Sequence, residues 1–191
     1  MRNANAVECV ESVARQIGWD KPFDRGSGTL RRGRGIAIGL KASISPTTSV
    51  ALVTVAADGS CTLAISTVDM GQGSDTAMAQ VCAETLGIRT ESVTVVHSDT
   101  DTTPYDMATL GSRSTYHMGH AVRLAAEDAR TQLLALAATY LDVPAETCTC
   151  SDGVIATSNG KSMMFRELFV ARFGMQAGNV VGSGSFEPPY A

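Results

Sequence analysis

One long run of residues with helical spacing constrains the fold of this chain more than any other feature. The spacing predicts a helix over residues 114–140, with alanine at many of the inward positions. The residues predicted to form its buried stripe are Val122, Ala125, Ala126, Ala129, Leu133, Leu136, Ala137 and Tyr140. Because alanine side chains are short, such a stripe requires another element to pack closely against the helix.

Two strand-like runs rich in Val, Leu, Ile and Thr lie at 49–56 and 61–68. Asp58-Gly59 stands between them, and Asp-Gly between two such runs is the strongest short-range signal for a β-hairpin. Further elements are predicted as helices at 3–17, 74–86 and 163–173, strands at 92–97 and 180–186, an irregular extended segment at 36–45, and a second hairpin around Asp152 within 147–157. The fold class is therefore predicted as α+β (mixed α/β), with an antiparallel-rich sheet and packed helices.

The 191 residues are enough for one domain with a sizeable core. We predict a single partial domain over 1–191, in which 1–32 form an N-terminal helix and a flexible connector and 33–191 form the core. The segment 25–35 contains four glycines and four arginines. It is interpreted as a mobile connector, with a basic phosphate contact as the alternative.

Composition excludes several classes of partner and environment. The net charge of −4, without a basic run, argues against nucleic acid. No apolar run approaches the roughly 18–20 residues that span a bilayer, and no signal-peptide core is visible, so we predict a cytoplasmic protein. The five cysteines are scattered in apolar patterns and are predicted to be reduced, buried thiols. Cys148 and Cys150 lack a second cluster with zinc-ligand spacing.

Gly71-Gln72-Gly73 lies between a predicted strand and a predicted helix that Ser74 can cap. Glycine adopts positive φ and lets a ligand approach the backbone, and the first N–H groups of the helix would point at that ligand. The alternative is a tight turn without a ligand. The segment is not a dinucleotide fingerprint, because the third glycine is missing and the preceding strands predict a hairpin instead of a βαβ unit.

A second polar cluster, Gly111-Ser112-Arg113-Ser114-Thr115, stands at the start of the long helix. Three hydroxyls, a glycine and an arginine at a helix N-terminus suit a phosphate or pyrophosphate, which Arg113 could neutralise bidentately. The alternative is ordinary helix capping by Ser112 or Ser114. Two such clusters facing each other would form a site for a phosphate-bearing ligand.

Two other clusters are interpreted as structural. His117 and His120 share a helix face, but no third metal ligand is visible, so they are predicted to be surface or lightly buried residues. Asp99, Asp101 and Asp106 lack the spacing of a calcium loop and are predicted to take part in Asx and Thr turns.

Taken together, the motifs resemble the second molybdenum-cofactor-binding domain of the xanthine dehydrogenase, aldehyde oxidase and carbon monoxide dehydrogenase large subunits. The similarity runs over 35–126 and is looser at 3–19 and 182–189. The motifs that carry it are Asp58-Gly59, Val68-Asp69-Met70-Gly71-Gln72-Gly73, Thr76, Ser98-Asp99-Thr100-Asp101-Thr102-Thr103-Pro104, Gly111-Ser112-Arg113-Ser114-Thr115 and Gly119-His120-Ala121-Val122.

The resemblance implies roles for both clusters. Gly71, Gln72 and Gly73 would approach the pterin and the ligand sphere of the metal. The residues that would bind the pterin and its phosphate-bearing tail are Gly111, Ser112, Arg113, Ser114 and Thr115. The Ser-Arg-Ser-Thr sequence resembles members that use molybdopterin cytosine dinucleotide with molybdenum. The implied reaction oxidises an aldehyde, an aromatic heterocycle or CO with oxygen from water, and passes electrons to iron–sulfur and flavin (FAD) centres in partner domains or subunits.

The departures from this family predict an incomplete site. Its members have a base, a glutamate in a Gly-Glu-Pro-type segment, and Glu187 resembles it only superficially because 182–186 matches an earlier strand. No catalytic residue and no protein metal ligand is therefore assigned, and the preceding cofactor-binding lobe is missing. We expect a fragment or a split subunit that is inactive alone, exposes apolar surface and associates with the rest of the large subunit or with itself. The alternative is a non-catalytic α/β module that binds a phosphate or nucleotide, or acts as an interaction surface.

Overall fold

The computed structural model describes residues 5–39, 47–97, 99–174 and 178–189. It divides the chain into two compact units, Met1–Lys41 and Ala42–Ala191. The first unit extends beyond the predicted N-terminal segment 1–32, and the division into that segment and a core over 33–191 stays a prediction. Most of the predicted extended segment at 36–45 lies outside the described residues, as does Ser98.

The first unit contains a helix and a loop that is bonded to itself. Helix α1 (Ala6–Gln16) is followed by Gly18, whose φ of +64° matches the predicted end of the helix. Arg34 Nη1 donates to the carbonyl oxygen of Lys21 at 3.0 Å and to that of Gly18, and its guanidinium lies 4.2 Å from the centroid of the Phe23 ring. The described part of the arginine- and glycine-rich segment is therefore folded back on the turn, and its flexibility stays a prediction.

The second unit contains the remaining elements. In chain order they are β1 (Ser49–Val55), β2 (Cys61–Ile65), α2 (Ser74–Leu86), β3 (Val93–His97), α3 (Ser114–Leu141), β4 (Cys148–Ser151), β5 (Val154–Thr157), β6 (Ser162–Met164), α4 (Phe165–Phe173) and β7 (Val180–Phe186). The larger sheet has the order β3-β2-β1-β7, and β4-β5-β6 form a smaller antiparallel sheet. The predicted α+β class with an antiparallel-rich sheet is confirmed.

The β1–β2 hairpin forms as the Asp-Gly signal predicts. Gly59 takes a φ of +86°, and the Asp58 carboxylate accepts hydrogen bonds from the Ser60 hydroxyl at 2.6 Å and the Ser60 N–H at 2.9 Å. The hydroxyl bond, more than the N–H bond, lowers the pKa of Asp58 below its ordinary value. A local turn thus fixes the register of the two central strands.

The two strands that precede the first glycine cluster form the predicted hairpin, but β2 also belongs to a βαβ unit with α2 and β3. Strand β2 pairs antiparallel with β1 on one side, but it pairs parallel with β3 on the other, and α2 connects the two parallel strands. The Asp-Gly signal predicts only the pairing of β2 with β1. The pairing of β2 with β3 arises because the chain runs back along the sheet through α2 before β3 begins. Consequently, both β2 and β3 end at the same edge of the sheet.

Helices α2 and α3 contact each other and pack on one face of the larger sheet, α3 against β7 and β1 and α2 against β3. The predicted alanine stripe of α3 is buried, with two exceptions: Leu136 is half-buried and Tyr140 is 41% exposed. The Tyr140 hydroxyl donates to the carbonyl oxygen of Ala171 at 3.1 Å. Opposite the stripe, β7 presents Gly182 and Gly184, which allow α3 to approach its backbone.

The smaller sheet lies at the end of α2 that is remote from its N-terminus. The Gly153 N–H donates to the carbonyl oxygen of Gly87, the residue that ends α2. The predicted turn around Asp152 is confirmed, with a positive φ at both Asp152 and Gly153. Helix α4 begins at Phe165 instead of the predicted position 163, because Met163 and Met164 pair with β5.

The cysteines are buried as predicted, apart from Cys9, which is exposed, and Cys150, which is half-buried. The Sγ atoms of Cys61 and Cys82 lie 3.7 Å apart in the core. The hydrogen bond with Cys61, together with burial, raises the pKa of the Cys82 thiol, and burial raises the pKa of Cys150. Such thiols are poor nucleophiles. None of the helices in the described ranges combines the length and apolar character needed to cross a bilayer.

Candidate functional site

Two polar loops meet at the edge of the sheet where β2 and β3 end. The first loop is residues 66–73, between β2 and α2, and the second loop is residues 99–113, between β3 and α3. Parallel neighbouring strands deliver their following loops to the same edge, which is where ligands bind in open α/β sheets. The loops are joined directly: the Val68 N–H donates to Thr109 Oγ1 at 2.8 Å, and Ser66 Oγ lies 2.9 Å from Thr103 Oγ1.

A cleft of about 370 Å³ lies between the two loops. It contains six of the eight residues that the sequence singled out, and only Gly71 and Arg113 are not part of its wall. The lining residues are Met70, Gln72, Gly73, Ser74, Ala77, Thr109, Leu110, Gly111, Ser112, Ser114 and Thr115. The starts of α2 and α3, at Ser74 and Ser114, therefore border the same cleft.

In the first loop, the carboxylate of Asp69 occupies the N–H groups at the start of α2. The Asp69 carboxylate accepts hydrogen bonds from the N–H groups of Gly71 at 2.8 Å, Gly73 at 3.3 Å and Asp75 at 3.2 Å. Positive φ values of +94° at Gly71 and +78° at Gly73 aim these N–H groups at it. The N-terminus of α2 is thus capped by Asp69, and the predicted capping by Ser74 is wrong, because the Ser74 hydroxyl donates to the Val68 carbonyl oxygen instead.

Gln72 is folded into the same loop. Its Nε2 donates to the carbonyl oxygen of Val68 at 2.9 Å and to Ser74 Oγ at 3.2 Å, while its Oε1 accepts from the Met70 N–H. These bonds hold the amide at the cleft wall. Gln72 therefore presents itself to a ligand as an ordered group and not as a free side chain.

Asp69→Ala should lower the free energy of unfolding by about 1–2 kcal/mol, because the first N–H groups of α2 and its glycine loop lose their acceptor. Urea unfolding monitored by circular dichroism measures this. The matched control is Asp101→Ala, since Asp101 is an exposed aspartate of the second loop, and it should change stability by less than about 0.5 kcal/mol. Equal stability of Asp69→Ala and the wild type would contradict the capping role.

The N-terminus of α3, by contrast, is open. Gly111 and Ser112 both take a positive φ, +63° and +58°, and the helix starts at Ser114 without a side-chain cap. Within the described ranges, the N–H groups of Ser114, Thr115 and Tyr116 have no acceptor. A non-glycine residue with positive φ stores strain of about 1–2 kcal/mol, which is typical of functional loops.

Three hydroxyl groups surround this open helix start. Ser112 and Thr115 are exposed, Ser114 is half-buried, and all three line the cleft. Hydroxyls can donate to an anion, and the unpaired N–H groups carry the positive end of the helix dipole. The arrangement can bind a phosphate group without a formal positive charge in the cleft wall.

Arg113 has the opposite position from the one expected. Its side chain is completely buried, and its Nη1 donates to Asp106 Oδ1 at 2.7 Å and to the carbonyl oxygen of Ala108 at 3.0 Å. Its Nη2 donates to Ser49 Oγ at 2.9 Å and lies 3.0 Å from His117 Nδ1. The predicted bidentate contact with a phosphate does not fit this geometry, because the guanidinium is turned into the core and neutralised by Asp106.

The two histidines of α3 are engaged separately. Arg113 always donates, so His117 Nδ1 accepts and His117 is the tautomer with its proton on Nε2. His117 is fully buried, which corrects the expectation of a lightly buried residue. His120 is half-buried, stacks on Phe186 with ring centroids 4.4 Å apart, and donates from Nδ1 to the Tyr116 carbonyl oxygen at 2.6 Å. The described residues contain no group of three or more metal-ligating side chains.

The acidic residues of the second loop divide into two roles. Asp99 forms the predicted turn, since Asp99 Oδ1 accepts from the Asp101 N–H at 2.9 Å and its carbonyl oxygen accepts from the Thr103 hydroxyl at 2.7 Å. Asp106 instead pairs with Arg113 and accepts from the Ser49 hydroxyl at 2.6 Å. The Asp and Thr residues of this loop predicted the turn. No pattern in the sequence predicted the contact between Asp106 and Ser49, which are 57 positions apart.

Apolar side chains stay exposed around the cleft. Met70 and Tyr105 are 69% and 63% exposed, and Val68, Met107 and Leu110 are also exposed. A second cavity of about 580 Å³ borders the cleft and shares Met70 and Thr109 with it. An exposed apolar rim of this kind is consistent with the predicted association with another polypeptide, which stays a prediction.

A family model described as a molybdopterin cofactor-binding domain matches residues 12–191. The chain belongs to this family, and the resemblance inferred from the two loops is confirmed. It is a molybdopterin-binding domain of the type found in the xanthine dehydrogenase and CO dehydrogenase family.

Individual relatives agree with this assignment. The chain is 30% identical over 97% of its length to an Escherichia coli protein described as a probable hypoxanthine oxidase, of which it covers 20%. It is 41% identical, over 44% of its length, to the carbon monoxide dehydrogenase large chain of Hydrogenophaga pseudoflava, of which it covers 11%. The chain spans about a fifth of the length of these relatives or less.

Solved structures share the fold. CO dehydrogenase from Oligotropha carboxidovorans superposes with a TM-score of 0.66 and 26% identity, over 74% of this chain and 18% of that one. Quinoline 2-oxidoreductase from Pseudomonas putida superposes with a TM-score of 0.65 and 25% identity, over 74% of this chain and 19% of that one.

Proposed function

We propose that this chain is the portion of a molybdenum hydroxylase that binds the phosphate-bearing part of the cofactor, in an assembly that oxidises an aldehyde, an aromatic heterocycle or CO with water as the oxygen source. The observation that carries the proposal is the open N-terminus of α3, where three N–H groups without an acceptor among the described residues stand beside three hydroxyls that line one cleft. A phosphate or pyrophosphate group satisfies all of these donors at once.

The residues present fit the phosphate-bearing cofactor. The donor set of the cleft consists of N–H and hydroxyl groups, which suits phosphate oxygens, and the described residues offer no cluster that would hold a bare metal ion. A molybdopterin cofactor brings the metal with its own ligands, and when bound it supplies the redox chemistry of the assembly. The chain therefore needs to supply position and hydrogen bonds.

The two loops have different tasks in this proposal. Gly111, Ser112, Ser114 and Thr115 bind the phosphate through backbone N–H groups and hydroxyls. Gln72 and Gly73 form the wall on the opposite side, and Gly71 supports them from the same loop, because Asp69 and the Gln72 amide hold that loop with hydrogen bonds. Arg113 stays part of the site through its bonds to the second loop, not as a ligand of the phosphate.

We propose that the cofactor is the cytosine dinucleotide form and that iron–sulfur and FAD centres belong to partner domains or subunits. The Gly111–Thr115 sequence supports the first part, and membership of the molybdopterin-binding family supports the second. The described residues also offer no base at the cleft: Glu187 is exposed at the end of β7 and is not among the lining residues. The isolated chain should therefore bind cofactor weakly and oxidise neither benzaldehyde nor purine.

Molybdenum and released CMP should be near-stoichiometric with the chain when it is purified from its host together with its partners. The triple variant Ser112→Ala/Ser114→Ala/Thr115→Val removes the three cleft hydroxyls at the start of α3, so cofactor affinity should fall about tenfold or more, and the metal and CMP content should fall with it. Mass spectrometry for molybdenum and chromatography of acid-released nucleotide measure both.

The matched control is Thr131→Val/Thr139→Val, because these exposed hydroxyls of α3 bond only to carbonyl oxygens of their own helix. It should retain wild-type content. If the wild-type complex contains neither metal nor nucleotide, the chain is a non-catalytic α/β module and the proposal fails. If the triple variant keeps full content, the phosphate is not bound at α3.

A further inference from the structure

The backbone of Arg113 lies beside the cleft, but its side chain points away from it. Its backbone stands between Ser112 and Ser114, which both line the cleft, yet its side chain leaves the cleft and is completely buried. Arginine is costly to bury, because its charge must be paired and its N–H groups must find acceptors. A side chain that only served the ligand would point the other way.

The bonds of the guanidinium join three separate parts of the chain. Ser49 belongs to the start of β1, Asp106 and Ala108 belong to the second loop, and His117 belongs to the next turn of α3. Ser49 and Asp106 are also bonded to each other at 2.6 Å. The edge of the sheet, the loop and the helix start are therefore tied together through one side chain.

The backbone adds a second connection between the same parts. The Val50 N–H donates to the carbonyl oxygen of Tyr105 at 3.1 Å, and Ser49 and Asp106 form an isolated antiparallel bridge. The second loop is thus attached to β1 immediately before it turns into the cleft. Loss of the Ser49 hydroxyl or of the guanidinium fork should loosen this attachment locally, because the strand register of β1 with β2 and β7 does not depend on it.

The charges around Arg113 distinguish a structural role from direct binding of the anion. Asp106 Oδ1 and Arg113 Nη1 lie 2.7 Å apart, and the two side chains are 1% and 0% exposed, so their charges cancel away from solvent. Neutral N–H and hydroxyl donors are what remains in the cleft near Ser112, Ser114 and Thr115. An anion bound there should show a shallow dependence on salt, whereas a direct ion pair with arginine should weaken steeply as salt rises.

We propose that Arg113, together with Asp106 and Ser49, is the positioning device of the anion site: it sets the direction of the first N–H groups of α3 and does not itself touch the ligand. This inference rests on the proposed function for the identity of the ligand. It further assigns a role to Ser49, which lies on a different strand and outside both loops.

The test is an NMR titration of the full chain with inorganic pyrophosphate, following the amide signals of Ser114, Thr115 and Tyr116. Ser49→Ala removes one hydroxyl and no charge, and Arg113→Lys keeps the charge but loses the fork. Both variants should weaken pyrophosphate binding about tenfold. The wild type should lose less than about twofold in affinity between low and physiological salt.

Two controls keep loss of folding apart from loss of positioning. Ser185→Ala on β7 and Arg123→Lys on α3 change an exposed serine and an exposed arginine, and both should bind as the wild type does. Amide hydrogen exchange must also stay slow at Val53 and Leu63, the buried centres of β1 and β2, in every variant that is compared.

Each outcome decides the inference. Unchanged binding by Ser49→Ala, with a steep salt dependence of the wild type, means that Arg113 binds the anion directly and overturns the proposal. If wild-type amides do not respond to pyrophosphate, the proposed phosphate site fails, and hydrogen exchange over 108–117 then decides the positioning role alone. Faster exchange confined to that range in Ser49→Ala and Arg113→Lys supports it, and unchanged exchange overturns it.

Discussion

Replacing Gly184 with alanine should destabilise the protein by about 3 kcal/mol or more, or prevent folding, because α3 lies directly on the β7 backbone. A Cβ atom at Gly184 would lie 2.1 Å from the carbonyl oxygen of Ala121 and 2.4 Å from the N atom of Ala125. These are backbone atoms of α3, so the collision cannot be relieved by a rotamer change. The whole helix would have to move away from the sheet, and the cleft at its N-terminus would move with it.

Urea unfolding monitored by circular dichroism measures the effect, with Ser185→Ala as the matched control on the same strand. Ser185 is exposed, so its replacement should change the free energy of unfolding by less than about 0.5 kcal/mol. Gly182→Ala should resemble Gly184→Ala, since its Cβ would lie 2.2 Å from the carbonyl oxygen of Ala125. A Gly184→Ala protein as stable as the wild type would refute the close contact between α3 and β7.

Arg113→Met should lower the free energy of unfolding by about 3–5 kcal/mol, because it leaves the Asp106 carboxylate buried without a counter-charge. The Asp106 side chain is only 1% exposed, and in this variant it loses the charged donor Arg113 Nη1. The double variant Arg113→Met/Asp106→Leu should regain most of the lost stability, since it buries no charge at all. A double-mutant cycle by urea unfolding isolates the pair energy.

The matched control uses an ion pair on the surface of the same helix. Arg123 and Glu127 are bonded to each other but are 45% and 47% exposed, so Arg123→Met should cost less than about 1 kcal/mol. If Arg113→Met and Arg123→Met lower the free energy of unfolding by similar amounts, the buried pair contributes no more to stability than the surface pair. A double variant as unstable as Arg113→Met would instead assign the loss to packing.

The position of α3 depends on residues near its middle and at its start. Gly182 and Gly184 set how close α3 lies to the sheet, and Arg113 sets the direction in which its first turn faces. Stability and site geometry are therefore coupled at α3. A variant that keeps α3 intact but breaks the hydrogen bonds of the Arg113 side chain should retain the fold. The first N–H groups of α3 should then no longer be held in one direction.

Much of the secondary structure could be predicted because its causes are local. The helix at 74–86 has its predicted limits, and the long helix starts at Ser114 as predicted and ends at Leu141, one residue beyond the prediction. Hydrophobic periodicity, the Asp-Gly turns and glycines such as Gly87 act within a few residues. The cap of α2 was local as well: Asp69 precedes Gly71 and Gly73 by two and four positions, so this spacing could have revealed it.

The long-range contacts had no comparable signal. Ser49 and Arg113 are 64 positions apart in the chain, and their contact exists because β1 and the second loop meet at one edge of the sheet. The parallel pairing of β2 with β3 is of the same kind. A charged residue beside hydroxyls predicts anion binding, but whether its charge is available depends on the acidic side chain that the fold places beside it.

The sequence by itself therefore determined that this protein has two polar loops, each leading into a helix, in a chain of the molybdopterin-binding family. The tertiary structure alone decided which of the two helix starts is open. Asp69 caps the first, whereas the second has three hydroxyls and N–H groups that find no acceptor in the described part of the chain. It also removed Arg113 from the cleft by pairing it with Asp106. The physical reason is that short-range patterns control backbone conformation, while neutralisation and burial of a charge depend on residues brought together from distant parts of the chain.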